Sequence, residues 1–498
     1  MHTNRHAQVP SRDGTAAKRA AAVALLGCAV LPIVGCITLK DPPTTEEIRA
    51  QTTLAGLTPE QQWQAGAVAG PAADNWLASF NDAELDALVV EAMTNNADLR
   101  ANAARVQQAA GYVDLAKAAG RPSVAVFGSG GANYGGGDAL QVFGVGVSWE
   151  LDLWGRLRYA RDAYAATYAS TQADFEFARQ SLAATMAKSW FTATETWLQL
   201  GIAEDMVRAA EQLVMLAEKR WQVGIGNEQD VALARANLGT FQDTAKQVQL
   251  AHSQAQRAVE LLLGRYPAAE LAARRELTAL PGAIPAGLPL EMLERRPDMV
   301  AAERRVAAAF NRVHEAKAAR LPKLTLSANV ADIQSEILQL QSDFENPAAG
   351  VGARLLAPLY QGGGPRAQVE IRTAEQQEAV AQYASLALRA LGDVENALAA
   401  GQILAERNEL LQRTVDFNQR ALALAQTSYR VGTTDLRAVQ QQQLSVSSSR
   451  FALLRVQSEQ LTQRANLYLA VGGSFEVPPE DPETAATSQI SPTSTAAR

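Results

Sequence analysis

The sequence predicts a mainly α-helical chain with a transmembrane β element, and the whole is built twice. Three observations carry this reading. A pattern spread over positions 98 to 122 recurs 200 residues further on. Four short segments alternate apolar residues with small or polar ones. A proline-free stretch from Gly155 to Gln222 reads as a single helix.

In chain order, Lys18 and Arg19 precede an apolar run from Ala20 to Val34, the charged and apolar regions of a secretory signal covering 1–35. The run ends Ile33-Val34-Gly35-Cys36, which is similar to a lipobox, so Cys36 is the expected lipid attachment site. Leu25-Leu26-Gly27-Cys28 fits the same pattern, but after a much shorter apolar run. An ordinary signal with incidental cysteines is the plain alternative. Ile37, in place of an aspartate, resembles bacterial lipoproteins released to the outer membrane. No later apolar stretch reaches the roughly 18 residues a spanning helix needs, so further membrane contact falls to strands. Residues 36–75 are expected to form an extended, lipid-anchored linker.

The first repeat spans 76–270 and the second 271–473. Asp98-Leu99-Arg100-Ala101 is answered by Asp298-Met299-Val300-Ala301, Arg105-Val106 by Arg305-Val306, and Lys117-Ala118-Ala119 before Pro122 by Lys317-Ala318-Ala319 before Pro322. Later, Val223-Gly224 matches Val431-Gly432 at an offset of 208. Each half is therefore expected to run helix, proline, β-hairpin (122–154 and 322–360), then two long helices joined at a glycine.

In the first hairpin Phe143, Val145, Val147, Trp149 and Leu151 alternate with Gly144, Gly146, Ser148 and Glu150. Val124, Val126 and Phe127 give a weaker strand before it. In the second, Leu324, Leu326, Ala328 and Val330 form one strand and Ala349, Val351, Ala353 and Leu355 the other. One apolar face and one small or polar face is the signature of a transmembrane barrel with a wet interior, whereas a soluble sandwich would show evenly spaced strands. Four strands cannot close a barrel, and lipid does not tolerate an open sheet edge. Three copies supply twelve. Gly128 to Gly137 and Ala331 to Ala348 are the expected outward loops.

At 1.5 Å per residue the helix from Gly155 to Gln222 would run roughly 100 Å. Ile403, Leu410, Phe417 and Leu424 recur every seven residues, which predicts coiled helix-on-helix packing. The helices are expected to reverse at the tips Val223-Gly224 and Val431-Gly432. An acid follows each, Asp230 and Asp435, and Arg430 precedes the second. In a symmetric assembly these residues would recur as a charged ring, a candidate gate; a helix-start acid facing the macrodipole is the alternative. Residues 474–498, rich in Pro, Thr, Ser and Ala, read as a disordered tail.

Composition narrows the function. A net charge of −7 argues against a nucleic-acid partner. Both cysteines lie in the first 36 residues, and His252 and His314 lack neighbouring ligand clusters, so no metal, cofactor or catalytic residue is expected.

Trp149-Glu150-Leu151-Asp152-Leu153-Trp154-Gly155-Arg156 resembles the strand-to-helix junction of the outer-membrane efflux proteins, the family of trimeric channel-tunnels, and especially its lipoprotein branch serving resistance-nodulation-division pumps. Arg295-Arg296-Pro297-Asp298, Ala357-Pro358-Leu359-Tyr360 and Tyr429-Arg430-Val431-Gly432 are similar to its other recurrent stretches. The resemblance covers about residues 76 to 473. It implies a homotrimeric twelve-stranded outer-membrane β-barrel continued by a long periplasmic α-helical barrel. The implied partners are outer-membrane lipid, a periplasmic adaptor that meets the tips Val223, Gly224, Val431 and Gly432, and an inner-membrane pump. Passive conduction of drugs or other small molecules is the function this implies. An outer-membrane channel for type I protein secretion is the alternative, and a periplasmic adaptor lipoprotein a weaker one.

Overall fold

The computed structural model describes residues 39–58, 61–66, 68, 70, 74–130, 141–272, 274–334 and 347–476. Cys28 and Cys36 lie outside them, as do the loop centres at 131–140 and 335–346 and most of the predicted tail. The order of elements is α1 (Thr45–Ala50), α2 (Ala83–Asn95), α3 (Ala97–Ala119), β1 (Ser123–Ser129), β2 (Gln141–Leu151), α4 (Arg156–Gln222) and α5 (Glu228–Leu262). The second half follows with α6 (Pro289–Arg295), α7 (Pro297–Ala318), β3 (Lys323–Gln334), β4 (Ala348–Leu356), α8 (Gly364–Val431) and α9 (Leu436–Ala470). Two helices, two strands and two long helices thus occur twice, and α5 and α9 are each 35 residues long.

The chain divides into two compact units. The first holds 110–167 and 306–378, and with them all four strands. These form one antiparallel sheet in the order β1-β2-β3-β4. The register aligns the alternation across the sheet: Val126 pairs with Val145, Val145 with Val330 and Val330 with Ala349. One residue along, Ala125, Gly146, Asn329 and Gly350 form the opposite, small-residue row. At about 3.4 Å per residue the 11 residues of β2, tilted near 45°, match the hydrocarbon thickness of a bilayer.

Two strand details correct the sequence reading. Phe127 does not extend the apolar face of Val124 and Val126; it pairs with Gly144 on the small-residue face. Its ring covers Gly146, where an added Cβ would stand 3.3 Å from the ring edge. Gly144 is required for a different reason, since a Cβ there would meet the Val330 carbonyl oxygen at 2.5 Å. The expected loop from Ala331 is also shorter, because 331–334 remain in the ladder opposite 141–144.

The second unit holds 45–109, 168–305 and the chain from 379 onward. Its aromatic core gathers Trp76, Phe80, Phe191 and Tyr468, with the Trp76 and Tyr468 rings stacked at 5.5 Å and the Phe80 and Phe191 centroids 5.2 Å apart. Trp190 Nε1 donates to the buried Asp82 carboxylate at 3.0 Å, which Arg274 also pairs at 2.8 Å.

The N-terminal segment, expected to be extended, contains α1 and a tighter helical turn at Thr53–Gly56. Burial of Ile48, Leu54 and Trp63 explains the difference. Trp63 Nε1 donates to Gly287 O at 3.0 Å, and the Glu395 carboxylate accepts the backbone N–H groups of Gln64 and Ala65 at 2.8 and 2.9 Å.

The heptad stripe also differs from expectation. Leu404 is buried within the chain, but Ile403, Leu410, Phe417 and Leu424 are 57, 56, 64 and 70% exposed. The seven-residue repeat therefore marks an apolar face that this chain does not cover.

Candidate functional site

Two regions carry the features expected of a channel: the strand-to-helix junction and the helical tips. At the junction, Glu150 at the end of β2 receives a forked pair from Arg156, with Nη2 to oxygen distances of 2.8 and 2.9 Å. Asp152 accepts the N–H groups of Leu157 and Arg158 at 3.0 and 2.9 Å, satisfying donors that the first turn of α4 leaves free. Gly155 takes φ +78° to turn the strand into the helix. Trp149 Nε1 donates to Gly120 O at 3.0 Å and Trp154 Nε1 to Pro322 O at 2.7 Å. Both indoles thus have an apolar body and a satisfied polar edge, which suits the membrane interface. The Trp-to-Arg motif of the sequence is this junction.

The tips reverse α4 into α5 and α8 into α9. Gly224 and Gly432 both sit in the left-handed region, with φ of +78° and +83°, where a helix ends most readily on glycine. Ile225 and Gly226 donate to Arg220 O at 3.0 and 2.9 Å, while Thr433 donates to Ser428 O at 2.9 Å. Asn227 caps α5 by accepting Asp230 N–H at 2.7 Å, and Asp435 caps α9 by accepting Ala438 N–H at 3.0 Å.

Below the tips, a shared core joins the two hairpins. Leu213, Val214 and Ala217 of α4 and Val231 and Ala234 of α5 pack in one cluster with Tyr429, Leu436 and Val439. Arg220 spans the two, its guanidinium 4.8 Å from the Tyr429 ring centre and its Nη1 donating to Tyr429 O at 3.1 Å. The Tyr429 hydroxyl is buried without a partner. Burial first, and then the charge of Asp230, push its acidity below that of an ordinary tyrosine, raising its pKa.

The three charged tip residues therefore occupy different settings. Asp435 is exposed and acts as a helix cap. Asp230 is half-buried and close enough for its charge to act on Tyr429. Arg430 is exposed, and its Nε lies 3.4 Å from Gln426 O, with no ion pair to either acid within the chain. Val223 and Val431 are 62 and 70% exposed, and Trp221 and Ile225 add 49 and 66% exposed apolar surface to the first tip. Arg220 and Tyr429 were not singled out as a pair by the sequence reading. Aligning the halves at the 208-residue offset places Tyr429 opposite Trp221, the signal that would have drawn attention to it.

Among the described residues no group of three or more acidic, histidine or cysteine side chains is placed to hold a metal ion. His252 is buried against Thr196, with Nδ1 and Oγ1 3.2 Å apart.

A sheet with one continuous apolar face, feeding helices of 67 and 68 residues that end in exposed glycine tips, defines a subunit of an outer-membrane channel-tunnel. The family model for outer membrane efflux proteins matches residues 88–265 and 288–473, one segment in each repeat. The chain belongs to this family. It is 31% identical over 444 residues to the pyoverdine export outer membrane protein OpmQ of Pseudomonas putida, covering 84% of this chain and 93% of that one. It is 30% identical over 423 residues to the cation efflux system protein CusC of Escherichia coli, covering 81% and 90%. Among solved structures, the outer-membrane channel OprN superposes with a TM-score of 0.76 at 27% identity, covering 84% of this chain and 98% of that one. The protein is an efflux channel of the outer membrane, with its helical portion on the periplasmic side, and its family is one of channels rather than enzymes.

Proposed function

We propose that the protein works as a homotrimer, anchored through Cys36, and forms the exit duct of a tripartite system with a periplasmic adaptor and an inner-membrane pump of the resistance-nodulation-division type. The observation that carries the trimer is the four-stranded sheet with two unpaired edges, β1 and β4, and an apolar face. Each unpaired backbone group facing lipid would cost several kcal/mol, so the edges must pair with other copies. Three chains give twelve strands and remove every edge. The stripe from Ile403 to Leu424 supplies a second seam, in which neighbouring helices cover what one chain leaves exposed.

The pump supplies the energy, and the duct conducts passively. The relatives' names speak of pyoverdine, cations, toluene and antibiotics, which favours small molecules and ions over secreted proteins. The tips around Val223, Gly224, Val431 and Gly432 meet the adaptor, where exposed Trp221 and Ile225 offer it an apolar patch. In the resting trimer Asp230, Arg430 and Asp435 recur around the axis as a charged constriction.

The test is native mass spectrometry of the purified full-length protein, combined with planar-bilayer recording. A trimer with small resting conductance is expected, and Phe417→Asp should shift it toward monomer. A monomeric wild-type protein would overturn the assembly. Mass spectrometry of the mature N-terminus should find a triacylated Cys36; an unmodified cysteine, or acylation at Cys28, would remove Cys36 as the anchor.

A further inference from the structure

We propose that Lys323 and Arg354 form a binding belt inside the barrel for small multivalent anions, solutes that carry two or more carboxylate, phosphate or sulfonate groups. The inference rests on the trimeric barrel proposed above. The register fixes the face on which both residues stand. Val126, Val145, Val330 and Ala349 share one row of the apolar, lipid-facing side. Lys323 and Arg354 have the other parity and stand on the small-residue side with Asn329 and Gly350, which lines the lumen. Cations kept for lipid headgroups would stand on the apolar side.

Nothing on that face neutralises them. Both side chains are exposed. Among the described residues the one carboxylate on the lumen face of the four strands is Glu150, in the same row as Arg354 with Thr325 between them. It is already taken by Arg156 at 2.8 Å. Asp152, just past the end of β2, is likewise held by Arg158 at 3.2 Å and by the Leu157 N–H at 3.0 Å. Closing the barrel brings no further acid. In the closed ring β4 of one chain meets β1 of the next, and the lumen face of β1 offers Ser123, Ala125, Phe127 and Ser129. Entry into the hairpin does not require the charge either, because at the 200-residue offset Lys323 answers Ser123.

The spacing suits a solute with more than one acidic group. Lys323 pairs with Leu356 and Arg354 with Thr325, so the two cations are diagonal neighbours on adjacent strands, about 7–8 Å apart at the backbone. One anion with two charged ends can bridge them. Strands about 4.8 Å apart and tilted near 45° give a twelve-stranded barrel a backbone diameter of about 26 Å. Long side chains reach about halfway to the axis, so the centre of the bore lies within roughly one Debye length, about 8 Å at physiological salt, of the belt. Along the strands from the belt, Gly146, Ser327, Gly350 and Gly352 keep the same face small. Rings of lysine and arginine in a pore attract anions and phosphate-bearing solutes.

The test titrates full-length protein in detergent with pyrenetetrasulfonate, followed by fluorescence anisotropy, with native mass spectrometry of the same samples. Saturable binding is expected, displaced by inorganic tripolyphosphate and weakened by added salt. The double substitution Lys323→Gln with Arg354→Gln should weaken it at least tenfold, and each single substitution severalfold. Arg354→Lys, which keeps the charge, should stay within a few-fold of wild type. Lys246→Gln, on the exposed face of α5, should change nothing. A trimer that does not bind the dye saturably, or whose double variant binds it as tightly as wild type, would overturn the belt alone. A monomeric wild-type protein would overturn the assembly, and the belt with it.

Discussion

The two halves of the chain close in the same place with different chemistry. In the first, Asn96 at the α2–α3 junction donates to Leu262 O, at the end of α5, at 3.0 Å. In the second, Arg296 at the α6–α7 junction donates to Ala470 O, at the end of α9, at 3.1 Å. A left-handed glycine follows each helix end, Gly264 with φ +71° and Gly472 with φ +71°. Both are pressed against the junction: a Cβ on Gly264 would stand 2.9 Å from Asn95 O, and one on Gly472 3.2 Å from Arg296 N. Duplication has kept the backbone solution and changed the side chain that seals it. The amide of Asn96 is neutral, and its oxygen also caps α3 by accepting Leu99 N–H at 3.0 Å. Arg296 is a charge only 4% exposed, and it needs a carboxylate. Asp298 provides one through two bonds of 3.0 and 2.8 Å. The Arg-Pro-Asp motif of the second half is thus a charged version of a lock that the first half makes with one amide.

This difference predicts unequal sensitivities. Arg296→Ala leaves the Asp298 carboxylate buried and unpaired and frees Ala470 O, which should cost about 3–5 kcal/mol and lower the yield of assembled protein. Asn96→Ala removes two hydrogen bonds between neutral groups and should cost about 1–3 kcal/mol. Thermal unfolding followed by circular dichroism separates them. If Asn96→Ala proves as damaging as Arg296→Ala, the two locks are not chemically distinct in the way argued.

A smaller contrast lies at the tips. Asn227 and Asp435 are equivalent at the 208-residue offset, and both cap the helix that follows. The charge of Asp435 is therefore additional to what capping demands. Asp435→Ala removes both charge and cap, at about 1 kcal/mol of stability, and should raise single-channel conductance. Asp435→Asn copies the first half, keeps the cap and removes the charge; stability should hold while preference for cations over anions falls. An unchanged ion preference in Asp435→Asn would take this residue out of the constriction and leave it a cap.

What could be read in the sequence follows from the range of the interactions involved. The strands were legible because a period of two survives any neighbour, and the long helices because nothing in 156–222 interrupts them. Phe127 was misplaced because a short strand gives too few positions to define its phase, and Gly146, the space it covers, lies on another strand. The helix Thr45–Ala50 was missed because six residues carry little periodicity, and the segment that continues from it is anchored by bonds such as that of Trp63 to Gly287, 224 positions away. At the tips the glycines were visible as punctuation. The acids that follow the two tips stand at different positions of the repeat, since Asp435 answers Asn227, while Asp230 answers Ala438. Arg220 on Tyr429 is a contact across 209 positions that no local pattern announces.

The smallest expected effect comes from one more substitution between the halves. His252 on α5 corresponds to Gln460 on α9 at the same offset. Burial lowers the pKa of His252, an effect that its backbone hydrogen bond to Ala193 only partly offsets. The fold therefore favours the neutral ring, and the associated stability is present above the unfolded value near 6.5 and is lost as pH falls through the lower folded value. His314, against Phe310 and Tyr159 with ring centroids at 4.2 and 5.1 Å, is shifted in the same direction, also chiefly by burial. Wild-type protein should thus melt at lower temperature at pH 5 than at pH 7. His252→Gln places in the first half the non-titrating side chain that the second half already uses, and should reduce that difference without abolishing it, because His314 remains. A pH dependence unchanged by His252→Gln would mean that His252 tolerates its proton, by letting water reach the ring beside Thr196.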